Sequence, residues 1–207
     1  MARRAVCISR AEGAGGRQTA QLVAERLGFR YIDDDIIAQA AAKGGISPGD
    51  VADEEKRKSA LSRIAREFGR AAVPDGYGIA GIAHPHEELS SEAVRSLIQD
   101  AIEETADRGD VVIVSHGASF TLSRRPNVLR VLLTASPDTR AGRLSESQGL
   151  DPKDAGQAIK DADAARSDYL RRFYGVKTEL PTHYDLVVNT DVLSVEQAAE
   201  VIAHAAR

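Results

Sequence analysis

A glycine cluster near the amino terminus is the feature that most constrains how this chain can fold. Residues 5–9 form a short apolar run that ends in a polar residue, which is typical of a buried parallel strand. The cluster Gly13-Ala14-Gly15-Gly16 follows, and residues 19–27 then place apolar side chains at helical spacing up to Gly28. A glycine-rich turn between a strand and a helix can cradle phosphate, because its N–H groups and the helix N-terminus favour an anion. A tight turn without a ligand would give the same pattern.

Further apolar runs predict four more strands, over residues 29–32, 111–114, 128–133 and 184–189. Helical patterns lie between and after them. The stretch 36–108 is mostly helical, and further helices are predicted near 137–144, 152–173 and 195–206. Strands that alternate with helices favour parallel βαβ units. We therefore expect an α/β chain with three layers, α/β/α, around a five-stranded parallel sheet.

Composition narrows the classes of function. The chain has 207 residues, 43% hydrophobic and 28% charged, which suits one globular domain that carries an insertion. A formal net charge of -4 argues against broad electrostatic binding of nucleic acid. The single cysteine, Cys7, excludes an internal disulfide, suits a reducing compartment, and is expected to be inert in its buried strand. Because no apolar stretch approaches about 18 residues, we expect no membrane partner and a cytoplasmic protein.

The glycine loop departs from the common phosphate-binding pattern G-x-x-x-x-G-K-[ST]. Ala11 stands at the first glycine position and Arg17 at the lysine position. Gly16-Arg17-Gln18-Thr19 nevertheless parallels the Gly-Lys-Gly-Thr segment of many small-molecule kinases. Arginine is a planar fork, wider than an ammonium group, so it can still bind phosphate at two points.

Several segments together resemble the cytidylate kinase-like family, in the same order and over nearly the whole chain. Ile8-Ser9-Arg10 with residues 13–17 is similar to that family's Ile-Ser-Arg and Gly-Ser-Gly-Gly-Arg segments. The other matching segments are Tyr31-Ile32-Asp33 with Ile36-Ile37, residues 111–118, 126–131 and 136–143, residues 163–166 with Tyr169, and residues 184–190. Residues 38–95 are weakly matched.

The resemblance implies a P-loop nucleoside monophosphate kinase fold and a kinase activity. The reaction would transfer a phosphoryl group from ATP with Mg²⁺ to CMP, dCMP or a similar small acceptor. Within one domain spanning 1–207, residues 38–95 would form a mostly helical acceptor-binding insertion. Residues 144–160 would form a lid that closes to exclude water. Because 38–95 is weakly matched, a different small-molecule acceptor stays open.

The resemblance also assigns the site residues. The donor phosphates would be held by the loop residues Gly13, Ala14, Gly15, Gly16, Arg17, Gln18 and Thr19. The Thr19 hydroxyl would help to ligate Mg²⁺, or would only cap the helix. The catalytic cations would be Arg17, Arg140, Arg143 and Arg166. The acceptor would be contacted by Asp33, His116, Asp163 and Arg166.

These arginines have plainer structural alternatives. Arg17 could be a surface residue at the start of a helix. Arg140 and Arg143 lie three residues apart and so share one helix face, which could simply be solvated. Asp163 and Arg166 are also three apart, and an intrahelical ion pair would look the same in sequence.

His116 is the main departure from the family pattern, which usually has an arginine there, beside the transferred phosphate. Neutral histidine supplies less charge at pH 7. Losing a guanidinium of that kind can slow phosphoryl transfer by orders of magnitude. The alternative function is therefore a nucleotide-binding regulatory protein with little catalysis.

The pair His84 and His86 is a weak metal signal without a clear third ligand, and we expect a loop without metal there.

Overall fold

A computed structural model describes residues 4–52 and 90–207. The strands are β1 (Ala5–Arg10), β2 (Arg30–Ile32), β3 (Val111–Val114), β4 (Val128–Thr134) and β5 (Leu186–Asn189). The helices are α1 (Gly16–Leu27), α2 (Asp35–Gly44), α3 (Ser91–Asp107), α4 (Ala118–Thr121), α5 (Pro137–Gln148), α6 (Pro152–Tyr174) and α7 (Val195–Ala206). A short 3₁₀ turn covers Pro181–His183. Residues 48–52 are helical where the first described segment ends.

The five strands form one parallel sheet in the order β2-β3-β1-β4-β5, which confirms the predicted sheet. β1 lies at its centre, with Ile8 opposite Val114 of β3 and Val131 of β4. Because all strands run the same way, the glycine loop after β1 and the segments after β2 and β3 meet at one edge. Ligands of open parallel sheets bind at this edge.

Two apolar cores cover the two faces of the sheet. Successive side chains of β1 alternate between them, as strand geometry requires. Val6 and Ile8 pack with α1 and α7, whereas Ala5 and Cys7 pack with α2 and α3. The helices on both faces complete the three layers predicted from the sequence. Complete burial raises the pKa of the Cys7 thiol to about 12, which keeps it protonated and unreactive at neutral pH.

Helix ends follow the local sequence chemistry. Ser90 caps α3 by accepting a hydrogen bond from the backbone N of Ala93. Gly28 ends α1 in the left-handed conformation. α5 begins at Pro137, as predicted, but continues to Gln148, four residues beyond the predicted end at 144. β5 begins at Leu186, two residues after its predicted start.

The predicted lid, 144–160, contains the end of α5, a turn over residues 149–151 and the start of α6. Leu144, Ala155 and Ile159 form a small apolar cluster that holds the two helices together. The lid role stays a prediction.

Of the predicted insertion 38–95, the residues 53–89 lie outside the described part of the chain, and His84 and His86 lie there too. Every helix in 4–52 and 90–207 is too short or too polar to cross a bilayer.

Candidate active site

The glycine loop reverses the chain between β1 and α1. Gly13 and Gly15 have φ values of 77° and 76°, in the left-handed region that favours glycine. Ala14 between them is fully buried, and its backbone oxygen accepts a hydrogen bond from Thr190 Oγ1 at 3.1 Å. Gly15 is the N-cap residue of α1 and has no side chain with which to cap this helix end. Unpaired amides at a helix N-terminus can bind an anion such as phosphate.

Close packing against α5 explains why the loop needs glycine at position 13. A Cβ atom there would lie 2.7 Å from the backbone oxygen of Arg140. At Gly16 a Cβ atom would lie 2.5 Å from the side chain of Arg10. The loop therefore sits directly on α5, and the position of Arg140 helps to fix its shape.

An open groove of about 1110 Å³ lies beside the loop and the start of α1. Arg17, Gln18 and Arg143 line it together with the ends of α5 and α7. Arg143 donates from Nη1 to Thr190 Oγ1 at 2.9 Å and from Nη2 to the Thr190 backbone oxygen at 2.5 Å. Three arginines line this groove, Arg10, Arg17 and Arg143, together with four glutamates, Glu12, Glu25, Glu146 and Glu196. The guanidinium groups next to the open helix amides are the part of the groove that suits a polyphosphate.

A smaller cavity of about 250 Å³ lies at the same edge of the sheet, next to α6. Its walls come from the end of β1, the turn after β3 and one face of α6. The lining residues are Ser9, Ser115, His116, Gly117, Ala165, Arg166, Asp168, Tyr169, Leu170 and Arg172. Two predicted acceptor-binding residues, His116 and Arg166, thus face one cavity.

Asp33 lies between the groove and this cavity, at the end of β2. It is 6% exposed. Its Oδ2 accepts a hydrogen bond from the Tyr31 hydroxyl at 2.9 Å and lies 3.2 Å from Arg17 Nη2. Burial of Tyr31 and its hydrogen bond to Asp33 raise the tyrosine pKa to about 12, so its hydroxyl remains a donor.

His116 lies in a turn of unusual backbone conformation after β3. Ser115, His116 and Gly117 have φ values of 65°, 50° and 70°. Non-glycine residues in this region are strained and are held there by their surroundings. The Tyr174 hydroxyl donates to the His116 backbone oxygen at 3.0 Å, and a Cβ atom on Gly117 would lie 2.2 Å from the Tyr174 ring. The turn places His116 Nε2 4.0 Å from Asp33 Oδ1.

Arg140 is buried and paired with Asp163 of α6. Its Nη1 and Nη2 each lie 2.8 Å from one carboxylate oxygen of Asp163. Its Nε also donates to the backbone oxygen of Ala135 at 3.1 Å. Arg140 is only 5% exposed, so the solvated-face alternative is wrong for this residue.

Arg166 is paired with Glu179, in the segment between α6 and β5. Its Nε lies 2.8 Å from Oε2 and its Nη2 lies 2.5 Å from Oε1. Nη1 donates to the backbone oxygen of Arg10 at 3.2 Å, and the Tyr184 hydroxyl donates to Glu179 Oε1. Burial would raise the pKa of the Glu179 carboxyl, but the Arg166 guanidinium outweighs it and lowers that pKa.

The sequence model of the cytidylate kinase-like family matches residues 5–192 of this chain. The chain belongs to the cytidylate kinase-like family. It is 25% identical over 201 residues to the cytidylate kinase of Archaeoglobus fulgidus, covering 97% of this chain and 93% of that protein.

Solved structures support the fold of this cytidylate kinase-like chain. An uncharacterized protein from Eubacterium ventriosum superposes with a TM-score of 0.67 at 18% identity, over 98% of this chain and 97% of that one. A shikimate kinase from Bacteroides thetaiotaomicron superposes with a TM-score of 0.50 at 16% identity, over 99% and 96% of the two chains. Both are similar in fold to the α/β sheet described above.

The cytidylate kinase-like chain thus gathers most of its predicted site residues at one edge of the sheet. Arg17, Asp33 and His116 form a continuous line of contacts, and Arg143 faces the groove. The intrahelical pair of Asp163 with Arg166 is wrong, because each residue pairs with a different partner outside α6. Sequence reasoning missed Glu179 and Tyr174, since neither lies in a recognisable motif.

Thr19 occupies a different setting from the one predicted for a magnesium ligand. Its side chain is fully buried, and its hydroxyl donates to the backbone oxygen of Gly15 at 2.9 Å. The hydroxyl therefore stabilises the first turn of α1. Its oxygen keeps lone pairs that could bind a metal, but complete burial leaves a metal no access to it in this conformation. Donor atoms that could hold a cation lie elsewhere, on Asp33, Asp34 and His116, all within 4.8 Å of one another.

Proposed function

We propose that this protein transfers a phosphoryl group from ATP with Mg²⁺ to CMP, dCMP or a similar small acceptor. The contact between Arg17 and Asp33 carries the proposal. Arg17 lines the large groove, and Asp33 lies beside His116, which lines the small cavity. A donor in the groove and an acceptor in the cavity would therefore meet at this contact, as a direct transfer requires.

The donor phosphates would bind at the open amides of α1, with Arg17 and Arg143 neutralising their charge. Arg17 is 56% exposed, so it can turn from Asp33 toward a phosphate without unfolding anything. Mg²⁺, when bound with ATP, would neutralise the phosphate oxygens, and it usually keeps several waters as ligands. No general base is required for a phosphate acceptor, because the acceptor oxygen is already anionic.

The acceptor would occupy the cavity beside α6. Arg166 and Arg172 line it, but Arg166 is paired with Glu179 and Arg172 with Asp168, so a phosphate would have to compete with these carboxylates. Ser115 offers a polar contact to a sugar or base. A cavity of about 250 Å³ is at the small end for a ligand site, so we expect one compact acceptor at a time. Closure of the segment 144–160 over the donor groove would then exclude water.

A coupled kinase assay across nucleoside monophosphates tests the proposal, with CMP and dCMP expected to turn over fastest. Arg17→Ala should lower kcat/KM by at least about 100-fold, because the phosphate site loses its mobile cation. Arg26→Ala is the matched control, since Arg26 is exposed at the far end of the same helix. A folded protein without turnover on any nucleoside monophosphate contradicts the proposal.

A second candidate function is nucleotide binding with little catalysis, in a regulatory role. It is favoured by the carboxylate partners of Arg140 and Arg166, which already neutralise two predicted phosphate ligands. Calorimetric titration decides between the two functions. Tight nucleotide binding without turnover supports the regulatory role, whereas a gain of turnover in His116→Arg supports a weakened kinase site.

A further inference from the structure

We propose that Asp33, Asp34 and His116 form a binding site for a divalent transition-metal cation, occupied without a nucleotide. One donor atom of each residue lies within 4.8 Å of the other two. The three residues come from two segments, the turn after β2 and the turn after β3, which only the folded sheet brings together. The site would exist whether or not the protein transfers phosphate.

The spacing of the donor atoms suits a cation. Two ligands that each lie about 2.1 Å from a metal can be at most about 4.2 Å apart. Asp33 Oδ1 and His116 Nε2 are separated by 4.0 Å, which is too long for a hydrogen bond but within this limit. A cation about 2.1 Å from both atoms would have an angle of about 145° between these two ligands, so small rotations of the two side chains are needed for a regular coordination geometry.

Asp33 has one carboxylate oxygen, Oδ1, on the side of His116. Its side chain is 9% exposed, and both of its short contacts, from Tyr31 and Arg17, go to Oδ2. Among residues 4–52 and 90–207, no hydrogen-bond donor reaches Oδ1. A carboxylate oxygen that accepts no hydrogen bond and lies next to an imidazole nitrogen can act as a metal ligand, and a cation between the two would bind both.

Asp34 is also free to act as a ligand. It is the N-cap residue of α2, a position where aspartate usually accepts a hydrogen bond from the helix. Its side chain makes no such bond and is exposed, so it can rotate toward the other two donors. Asp34 thus stands at a helix N-cap, but its carboxylate does not cap the helix.

The ligand set indicates which cation would bind. Carboxylates alone suit Mg²⁺ and Ca²⁺, whereas imidazole suits first-row transition metals. One imidazole with two carboxylates therefore favours a cation such as Mn²⁺ over Mg²⁺. Asp33 is paired with Arg17, and Asp34 adds a second carboxylate, so a cation would also reduce local negative charge where phosphates are proposed to meet.

Titration of the full chain with MnCl₂, without nucleotide, tests the site. Electron paramagnetic resonance of free Mn²⁺ should show one bound ion per chain, which millimolar Mg²⁺ displaces poorly. The bound ion should show coupling to a ¹⁴N nucleus in electron spin echo modulation, because imidazole is a ligand. Asp34→Asn and His116→Gln should each weaken binding by at least about 10-fold.

Asp35→Asn is the matched control, because Asp35 is an exposed neighbour outside the three-residue cluster. It should leave Mn²⁺ affinity unchanged. Absence of bound Mn²⁺, absence of nitrogen coupling, or equal weakening in Asp34→Asn and Asp35→Asn overturns the proposal. If His116→Gln fails to fold, the exposed Asp34→Asn variant still decides. Turnover of nucleotides does not enter these readouts, so the proposed kinase activity can fail while the cation site stands.

Discussion

Arg140 and Asp163 form a two-point ion pair that joins α5 to α6 beside the glycine loop. Both guanidinium–carboxylate distances are 2.8 Å. Arg140 Nη1 also lies 3.4 Å from the backbone oxygen of Glu12, and the Arg140 backbone packs under Gly13. Arg140 therefore connects α5 and α6, the two helices that contain the predicted lid, to the glycine loop that would hold the donor phosphates. We infer that the pair acts mainly by positioning the loop.

The first prediction concerns this pair. Arg140→Lys keeps the charge but cannot bond both carboxylate oxygens and two backbone oxygens at once. It should lower the free energy of unfolding by about 1.5–3 kcal/mol, because buried charged hydrogen bonds are lost. Urea unfolding measures this loss. Arg171→Lys, at a residue that is 62% exposed, is the control and should change stability little. Equal stability of both variants contradicts the positioning role.

Gly13 gives the second prediction. Gly13→Ala combines a positive φ with a contact of 2.7 Å to the Arg140 backbone, so the loop must shift. Gly28→Ala also has a positive φ, but no atom in residues 4–52 or 90–207 lies within 4 Å of its new Cβ atom. The Gly13 variant should be less stable than the Gly28 variant by about 1–3 kcal/mol, which is the cost of overpacking. It should also lose nucleotide affinity, measured by calorimetry, while the Gly28 variant keeps it.

The sheet could be predicted because each strand and the first turn are marked by a short run of neighbouring residues in the sequence. Residues 111–114 are four consecutive β-branched residues, and all are buried in the structure. Such a run is typical of a strand covered on both faces. The glycine cluster between β1 and α1 fixed the position of the turn, because Gly13 and Gly15 take conformations that other residues avoid.

The partners of the charged residues could not be predicted, because they depend on distances between elements. Asp163 has an arginine three residues ahead in its own helix, yet it bonds Arg140, which lies 23 positions away. Glu179 lies in a segment without motif and becomes important only because the chain after α6 folds back over Arg166. The strained turn at His116 likewise depends on Tyr174, a residue 58 positions away.

The third prediction uses the lowered pKa of Glu179. A carboxyl whose pKa is lower in the folded state stabilises the protein above its unfolded pKa of about 4.3, and this stabilisation is lost as pH falls through the folded pKa. Glu179→Gln should therefore lower the free energy of unfolding most near pH 7. The gap in unfolding free energy between this variant and the unmutated protein should shrink at acidic pH. Urea unfolding at several pH values measures it. The exposed Glu146→Gln controls for loss of one carboxylate, and a difference that is constant with pH contradicts the prediction.

The fourth prediction separates two roles of Tyr174. Its hydroxyl donates to the His116 backbone oxygen and also lies 3.1 Å from Thr121 Oγ1. Tyr174→Phe removes both contacts, whereas Thr121→Val removes only the second. Each should cost about 1 kcal/mol of stability, measured by urea unfolding. If the Tyr174 hydroxyl holds His116 in its strained turn, only Tyr174→Phe should also lower turnover and Mn²⁺ affinity, because only that variant loosens a residue at the site. Equal turnover and affinity in the two variants would mean that ring packing of Tyr174 against Gly117 is sufficient to hold the turn.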